Sequence, residues 1–430
     1  MKKLMVYSHD TFGLGNIRRM LSICKYLIDS IPDLSILIVS GSPMVHTFRI
    51  PQRLDYIKLP CLRRTDREGY SVKYLGTDIG ETMRLRSELI LSAVSHFRPD
   101  LFLVDKKPYG VKKELKGVLN YLRIHLPETK LVLLLRDILD SPEATIQTWK
   151  QNRYQEAVRL FYDRVFVVGS PEVFDLRKEY RLSPSVSEKV RFCGYIRREV
   201  GLKGGDAVRK EIQLRDEKLV LVTPGGGEDG YRLVKTYLSG LEHLPAGLKI
   251  RSLIVCGPEM PEAQRKELFQ AAAGRPSVQI TEFTDDLMSY MEAADVVLSM
   301  AGYNTVCEIL SQKKRAIVVP RVHPVKEQLL RAERMARLGL LRMVHPDRLT
   351  PQSLAGALLE ELGPQKAGSP SPSPLELEAL SRIRDGVLRF LSPSESAENG
   401  DGTVSRLDRP GPAPLRDYVR PLPVSRSGEG

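Results

Sequence analysis

Residues Thr281–Ala332 read TEFTDDLMSYMEAADVVLSMAGYNTVCEILSQKKRAIVVPRVHPVKEQLLRA. The pattern predicts a strand over Ala294–Ser299, a turn of small residues at Met300–Tyr303 and a helix opening at Asn304, with Glu308 one turn in. A second strand, Ala316–Pro320, follows, and then a polar loop, His323–Gln328. A small-residue turn at a strand's carboxyl end aims helix N–H groups at an anion and lets backbone approach it closely. A carboxylate one turn further along is placed to accept hydrogen bonds from hydroxyls beside that anion. The phosphates and ribose of a nucleotide have that layout.

Working outward, the same alternation recurs on both sides. Upstream, Lys218–Thr223, Lys249–Cys256 and Ser277–Thr281 are short apolar runs separated by helical stretches. Further upstream, Lys3–Ser8, Ser35–Ser40, Asp55–Pro60, Asp100–Asp105, Thr129–Arg136, Arg164–Gly169 and Val190–Gly194 read likewise, with one helix expected over Glu143–Phe161. Continuous apolar strands alternating with helices mean parallel sheets covered on both faces. The expected fold class is α/β: two doubly wound, Rossmann-like domains, residues 1–198 and 217–363, joined by a basic linker, 199–216, and facing each other across a cleft. Ligands in such sheets bind at the carboxyl ends of strands. Residues 364–430 form a low-complexity tail containing SPSPSP, expected to be mostly disordered. Its exception is an amphipathic helix near 376–391 (ELEALSRIRDGVLRFL), expected to dock back onto the body.

The chain of 430 residues carries a formal charge of +12. From Pro364 onward nine basic residues balance nine acidic ones, so the excess belongs to the folded part. That suits an anionic partner: nucleotide phosphates or an anionic membrane surface. Nucleic acid is not expected, because no basic-aromatic stripe or recognised module appears. The five cysteines are scattered without a CxxC pair, and no run is long enough to span a membrane. MKKLMVYSHD turns polar too early for a signal peptide, so a cytoplasmic location, with peripheral contact to a membrane's inner face, is the expectation.

The first strand leads into YSHDTFGLGNIRR, where Gly13 and Gly15 frame a turn with His9, Asp10, Asn16 and Arg19 nearby. A third glycine of a dinucleotide fingerprint is missing, and no P-loop GK[ST] exists. Asp10, Asp105 and Asp137 recur at strand ends, as candidate general bases at the cleft mouth or as helix caps. Gly225, Gly226 and Gly227 expose backbone N–H groups after a strand, a cradle suited to phosphate or sugar. The histidines lack ligand spacing and Asp285–Asp286 reads as a helix cap, so neither a metal nor another cofactor is expected.

The ordered set GGG at 225–227, EFTDDL at 282–287, ADVVLSMAGYNTVCEI at 294–309 and Pro320, His323, Glu327, Gln328 resembles GT-B glycosyltransferases of family 28. That group includes the UDP-N-acetylglucosamine transferase of lipid-linked peptidoglycan precursor synthesis. The resemblance implies a metal-independent hexosyltransferase with a UDP-linked donor and an unidentified acceptor hydroxyl, lipid-linked or polysaccharide. It implies that Ala301, Gly302, Asn304 and Thr305 hold the donor diphosphate, Glu308 the ribose, Glu327 and Gln328 the sugar, and Phe283 the base. Where the family loop commonly ends Gly-His, this chain has Gly15-Asn16. His9, Asp10 or Asp105 would then supply the base. A nucleotide-sugar hydrolase or epimerase, or a binding protein without turnover, shares the same features.

Overall fold

The computed structural model describes residues 1–9, 15–65, 69–364 and 375–392. Asp10 and Gly13 lie outside the described residues, as does most of the tail. The first sheet is built from β1 (Lys2–Ser8), β2 (Leu34–Ser40) and β3 (Leu54–Lys58), with β4 (Leu62–Arg64) and β5 (Tyr70–Val72) forming a small antiparallel hairpin beside it. It continues with β6 (Leu101–Asp105), β7 (Lys130–Arg136), β8 (Arg164–Val168) and β9 (Val190–Phe192). Its order is β3-β2-β1-β6-β7-β8-β9, with every pairing parallel. The second sheet comprises β10 (Lys218–Thr223), β11 (Ile250–Val255), β12 (Val278–Thr281), β13 (Val296–Ser299), β14 (Arg315–Val318) and β15 (Arg342–Met343). Its order, β12-β11-β10-β13-β14-β15, is again all parallel. The strand interiors explain the pattern: Leu4–Tyr7, Leu101–Val104 and Leu131–Leu135 are buried, as strands covered on both faces must be.

In each sheet the strand order therefore reverses once, between β1 and β6 and between β10 and β13. Those two switch points are where a doubly wound sheet opens a crevice at its carboxyl edge.

Four elements differ from the sequence pattern. Glu143–Phe161 is two helices, Pro142–Gln151 and Tyr154–Phe161, because Arg153 between them has φ of 54°. Residues 199–216 are not a bare linker: Gly205–Glu211 is helical, and Arg209 bonds the Ala293 carbonyl and Asp295. The hairpin and β15 were too short for their periodicity to show.

The helix near the C-terminus, Ala379–Leu391, does dock, burying Ala379, Ile383, Val387 and Leu391 in the first domain's core. A Cβ on Gly386 would lie 2.4 Å from the Phe166 ring, so glycine there sets how closely the helix approaches.

The two sheets share one interface. The core of the first runs through Tyr195, Ile196, Tyr303 and Val306 into Val297 of the second. Within this apolar zone Arg331 and Asp137, both fully buried, form a two-pronged ion pair: Nε to Oδ2 at 2.7 Å and Nη2 to Oδ1 at 2.8 Å. Tyr195 donates to the same carboxylate at 3.0 Å, and Arg331 Nη1 donates to the Ala301 carbonyl at 2.8 Å. Removing one member of a buried pair leaves an uncompensated charge. Arg331→Met is therefore expected to cost about 3–5 kcal/mol in urea unfolding. Adding Asp137→Leu should recover part of that loss. A double variant destabilised by the sum of the singles would show that the two charges are not coupled.

Candidate functional site

The carboxyl edges of the two sheets line one cavity of about 500 Å³. The first domain contributes His9 and Asn16 after β1, Lys106 and Lys107 after β6, and Arg136 at the end of β7. The second contributes Glu228 after β10, with Arg321 and Glu327 after β14. The first switch point thus opens into this cavity, and the second borders it through Glu228 after β10, while the turn after β13 does not line it.

On the second domain, β13 ends at Ser299 and the chain turns through Met300–Gly302 into the helix Tyr303–Ser311, with Gly302 as its N-cap in extended conformation. A Cβ placed on Gly302 would meet nothing within 4 Å, so the backbone at the helix N-terminus borders open space. Beside it runs the 225–227 loop. Gly225 and Gly227 have φ of 84° and 96°, which disfavours any other residue. A Cβ on Gly225 would come within 3.7 Å of Thr305 Oγ1, so the loop and the helix's first turn are neighbours. Glu308 and Thr305 are buried. Burial raises the Glu308 carboxyl, opposed by the Arg18 and Arg198 guanidiniums. Arg18 Nη1 lies 3.3 Å from Glu308, and the Arg18 side chain is half exposed.

Asn304 joins the domains. Its Nδ2 donates to the Gly15 carbonyl at 3.1 Å, while its Oδ1 accepts from Arg198 at 2.6 Å. Because Gly15 opens the helix Gly15–Ser30, two helix N-termini meet at this point, each with a partial positive charge. Ala301 is buried, and its carbonyl is held by Arg331.

Glu327 and Gln328 begin the helix Glu327–Arg337. Glu327 lies 2.7 Å from Arg136 and 3.8 Å from Arg331. Burial alone would raise its carboxyl, but Arg136, with Arg331, Lys106 and Arg321, outweighs burial and lowers it. Gln328 Oε1 accepts from the Arg321 amide at 3.1 Å. Phe283 is exposed beside a separate hollow of about 400 Å³, lined by Leu253, Thr281 and Tyr290.

On the first domain, Asp105 and Asp137 are buried in ion pairs rather than open at the cleft mouth. Arg19 Nη2 reaches Asp105 at 2.7 Å, with both side chains buried. Neither aspartate caps a helix: Ser141 caps Pro142–Gln151, and Asp140 accepts from the Ser141 and Lys326 amides. Asp286 does cap its helix, accepting from Ser289. Asn16 is tied to the backbone, donating to the His9 carbonyl at 2.9 Å and accepting from Arg19 at 3.4 Å.

His9 is buried in the cavity wall, and its Nδ1 has no hydrogen-bond partner among the described residues. Burial first, then the charges of Lys106, Lys107, Arg64 and Arg86, push the imidazole well below its ordinary value. It is therefore neutral at physiological pH.

Sequence reasoning missed the cations Lys106, Arg136, Arg198, Arg321 and Arg331. Lys106 and Arg136 directly end or follow strands whose carboxyl edges face the cleft, and that position was the available signal. Among the described residues, no group of three or more His, Cys, Asp or Glu is placed to hold a metal, and no helix is long and apolar enough to cross a membrane.

An unfolded histidine protonates near pH 6.5, whereas buried His9 does so only well below that. As pH falls through about 6.5 the unfolded chain takes up the proton first and stability is lost; above about pH 7 the effect vanishes. His9→Asn should remove roughly 1 kcal/mol of the loss between about pH 6.5 and 5.5. Equal losses in wild type and variant by urea unfolding would contradict a buried neutral His9.

Residues 219–382 match the model of the glycosyltransferase family 28 C-terminal domain. An uncharacterized glycosyltransferase of Methanopyrus kandleri is 26% identical over 205 residues, covering 47% of this chain and 54% of that protein. The UDP-N-acetylglucosamine–N-acetylmuramyl-(pentapeptide) pyrophosphoryl-undecaprenol N-acetylglucosamine transferase of Haemophilus influenzae is 31% identical over 146 residues, 34% of this chain and 40% of the relative. The chain thus spans about half the length, or less, of these curated relatives. Among solved structures, Acinetobacter baumannii MurG superposes with a TM-score of 0.58 at 14% identity, over 90% of this chain and all of that one. A putative UDP-N-acetylglucosamine 2-epimerase from Listeria monocytogenes gives 0.60 at 12%, over 94% of this chain and all of that one. The chain has the GT-B fold, and its second half carries a family 28 glycosyltransferase C-terminal domain.

Proposed function

We propose that the protein is a glycosyltransferase that moves a hexose from a nucleotide-sugar donor, UDP-linked, to an acceptor hydroxyl. The observation that carries this reading is the open N-terminus of Tyr303–Ser311 at the second switch point, with Glu308 buried one turn along. The donor diphosphate would lie against the Gly302–Tyr303 backbone and the 225–227 loop. Glu308 would accept from the ribose once Arg18 moves, Glu327 and Gln328 would orient the sugar, and the base would stack on Phe283.

The acceptor would enter from the first domain. Neutral His9 would take the acceptor proton as the hydroxyl attacks the sugar's anomeric carbon and the bond to the diphosphate breaks. The charge left on the diphosphate would be met by helix N–H groups and nearby guanidiniums, a role that requires no metal. The transferase named in the Haemophilus relative acts on a pyrophosphoryl-undecaprenol substrate; a lipid-linked or polysaccharide acceptor, met at an anionic membrane surface from the cytoplasm, extends the reading. The rival, hydrolysis, epimerisation or binding without turnover, draws its support from Asn16 in the place of the family histidine.

Two measurements test this. UDP at about 100 times its dissociation constant should stabilise the protein by roughly 2.7 kcal/mol. Gly302→Ala should fold normally, since its Cβ meets nothing within 4 Å, yet lose most of that stabilisation, as should Glu308→Ala. No stabilisation by any nucleotide would overturn the reading. Product analysis with and without acceptor then separates the rivals: free sugar or an epimerised donor in the absence of acceptor would replace the transferase.

A further inference from the structure

The cations on the floor of the cleft exceed what the donor reading uses. Lys106 follows β6 at the first switch point, opposite His9 after β1, and adopts φ of 70°. A left-handed backbone at a non-glycine residue costs of order 1–3 kcal/mol and tends to persist where function holds it. Here it marks a lysine lining the cavity wall. Arg136 lies beside it on β7, Arg64 on β4 and Arg321 across the cleft, all lining the same cavity. Among the described residues, the carboxylate within ion-pair distance of Arg136 is that of Glu327, at 2.7 Å, which also lies 3.9 Å from Arg321.

An observation independent of the charge count points the same way. The buried Nε atoms of Arg136 and Arg321 have no acceptor among the described residues, and neither does buried His9 Nδ1 have a partner. All three side chains line one cavity. Burial, then repulsion from Arg136 and Arg64, with Lys107 adding and Glu327 opposing, lowers Lys106 to about 7. A cluster whose members depress one another is relieved when an anion enters.

We propose that Lys106, Arg136 and Arg321 form an anion subsite, distinct from the diphosphate site at the Tyr303 helix, that takes a phosphate or carboxylate group of a substrate. Glu327 occupies part of it in the free protein, as an internal carboxylate in the anion's place. The group has two sources: a uronate on the donor sugar or a phosphate on the acceptor. Assigning it to donor or acceptor rests on the transferase reading; the existence of the subsite does not.

Sulfate is the probe, because its charge is constant between pH 6.5 and 8.5. It is titrated by calorimetry into the full chain at fixed ionic strength, with and without saturating UDP. Sulfate should bind at pH 6.5 in both states. Lys106→Met should weaken it at least tenfold, and Glu327→Gln should tighten it several-fold. Wild-type affinity should fall about tenfold or more by pH 8.5 as Lys106 loses its proton, while Lys106→Arg should hold its affinity across that range. The other charged or titratable groups lining this cavity are Arg64, Lys107, Arg136, Arg321, Asp140, Glu228, Glu327, Tyr70, Tyr154 and His9; His9 is held neutral, Arg136 and its neighbours hold the Glu327 carboxyl low, and burial raises Glu228. Sulfate binding unchanged by both Lys106→Met and Glu327→Gln, or absent at pH 6.5, overturns the subsite whatever UDP does. UDP failing to bind while sulfate behaves as described overturns only the transferase reading. Two further arms assign the source. A preference for UDP-glucuronate over UDP-glucose that Lys106→Met abolishes gives the subsite to the donor. Displacement of sulfate by dimethyl phosphate, with no such preference, gives it to the acceptor.

Discussion

The buried pair of Asp137 and Arg331 is the constraint on which the cleft depends. Asp137 follows β7 in the first sheet; Arg331 stands on the helix Glu327–Arg337 of the second domain. Two parallel N–H···O bonds in a fully buried setting fix both distance and orientation, and Tyr195 and the Ile138 amide also donate to the carboxylate. The third arm of Arg331 holds the Ala301 carbonyl. One side chain thus ties the turn at the second switch point to the first domain. Such a pair is expensive to part, because either charge left alone in the interior would be uncompensated.

The more exposed cross-domain contacts are of another kind. Arg18 on Glu308, Arg198 on Asn304, and Arg334 on Glu179 at 2.8 Å each involve at least one partly exposed side chain. Water competes for these groups, so they exchange at small cost. The cleft is thus spanned by a fully buried pair, by the largely buried Arg136–Glu327 pair and by pairs that solvent can reach. Arg18 and Glu308 are the clearest case, since the carboxylate that the donor reading needs is covered by a guanidinium that solvent can reach.

Much of the fold was legible in the sequence, since its signals are local. Runs such as Leu131–Leu135 announce buried parallel strands, and the glycine turn before Tyr303 sits next to the strand it ends. The helix carrying Glu308 and the glycines at 225–227 were found for the same reason. What failed was long-range pairing. Asp105 and Asp137 looked like free carboxylates at strand ends because their arginines lie 86 and 194 residues away. Asn16 looked like a lost base, yet the fold uses it to hold the His9 backbone, while His9 itself is kept neutral by burial first and then by cations on β4 and after β6. The basic floor of the cleft escaped notice because Arg64, Lys106, Arg136 and Arg321 come from four separate segments, and no local window contains more than one strand's share.

The central claim is that the second switch point is the donor site. A crystal structure of the protein with UDP tests it most directly. The account expects the diphosphate within hydrogen-bond distance of the Gly302–Tyr303 backbone, the ribose hydroxyls on Glu308 with Arg18 displaced, and uracil beside Phe283. UDP lodged instead against Lys106 and Arg136, with the Tyr303 helix N-terminus left to solvent, would contradict it.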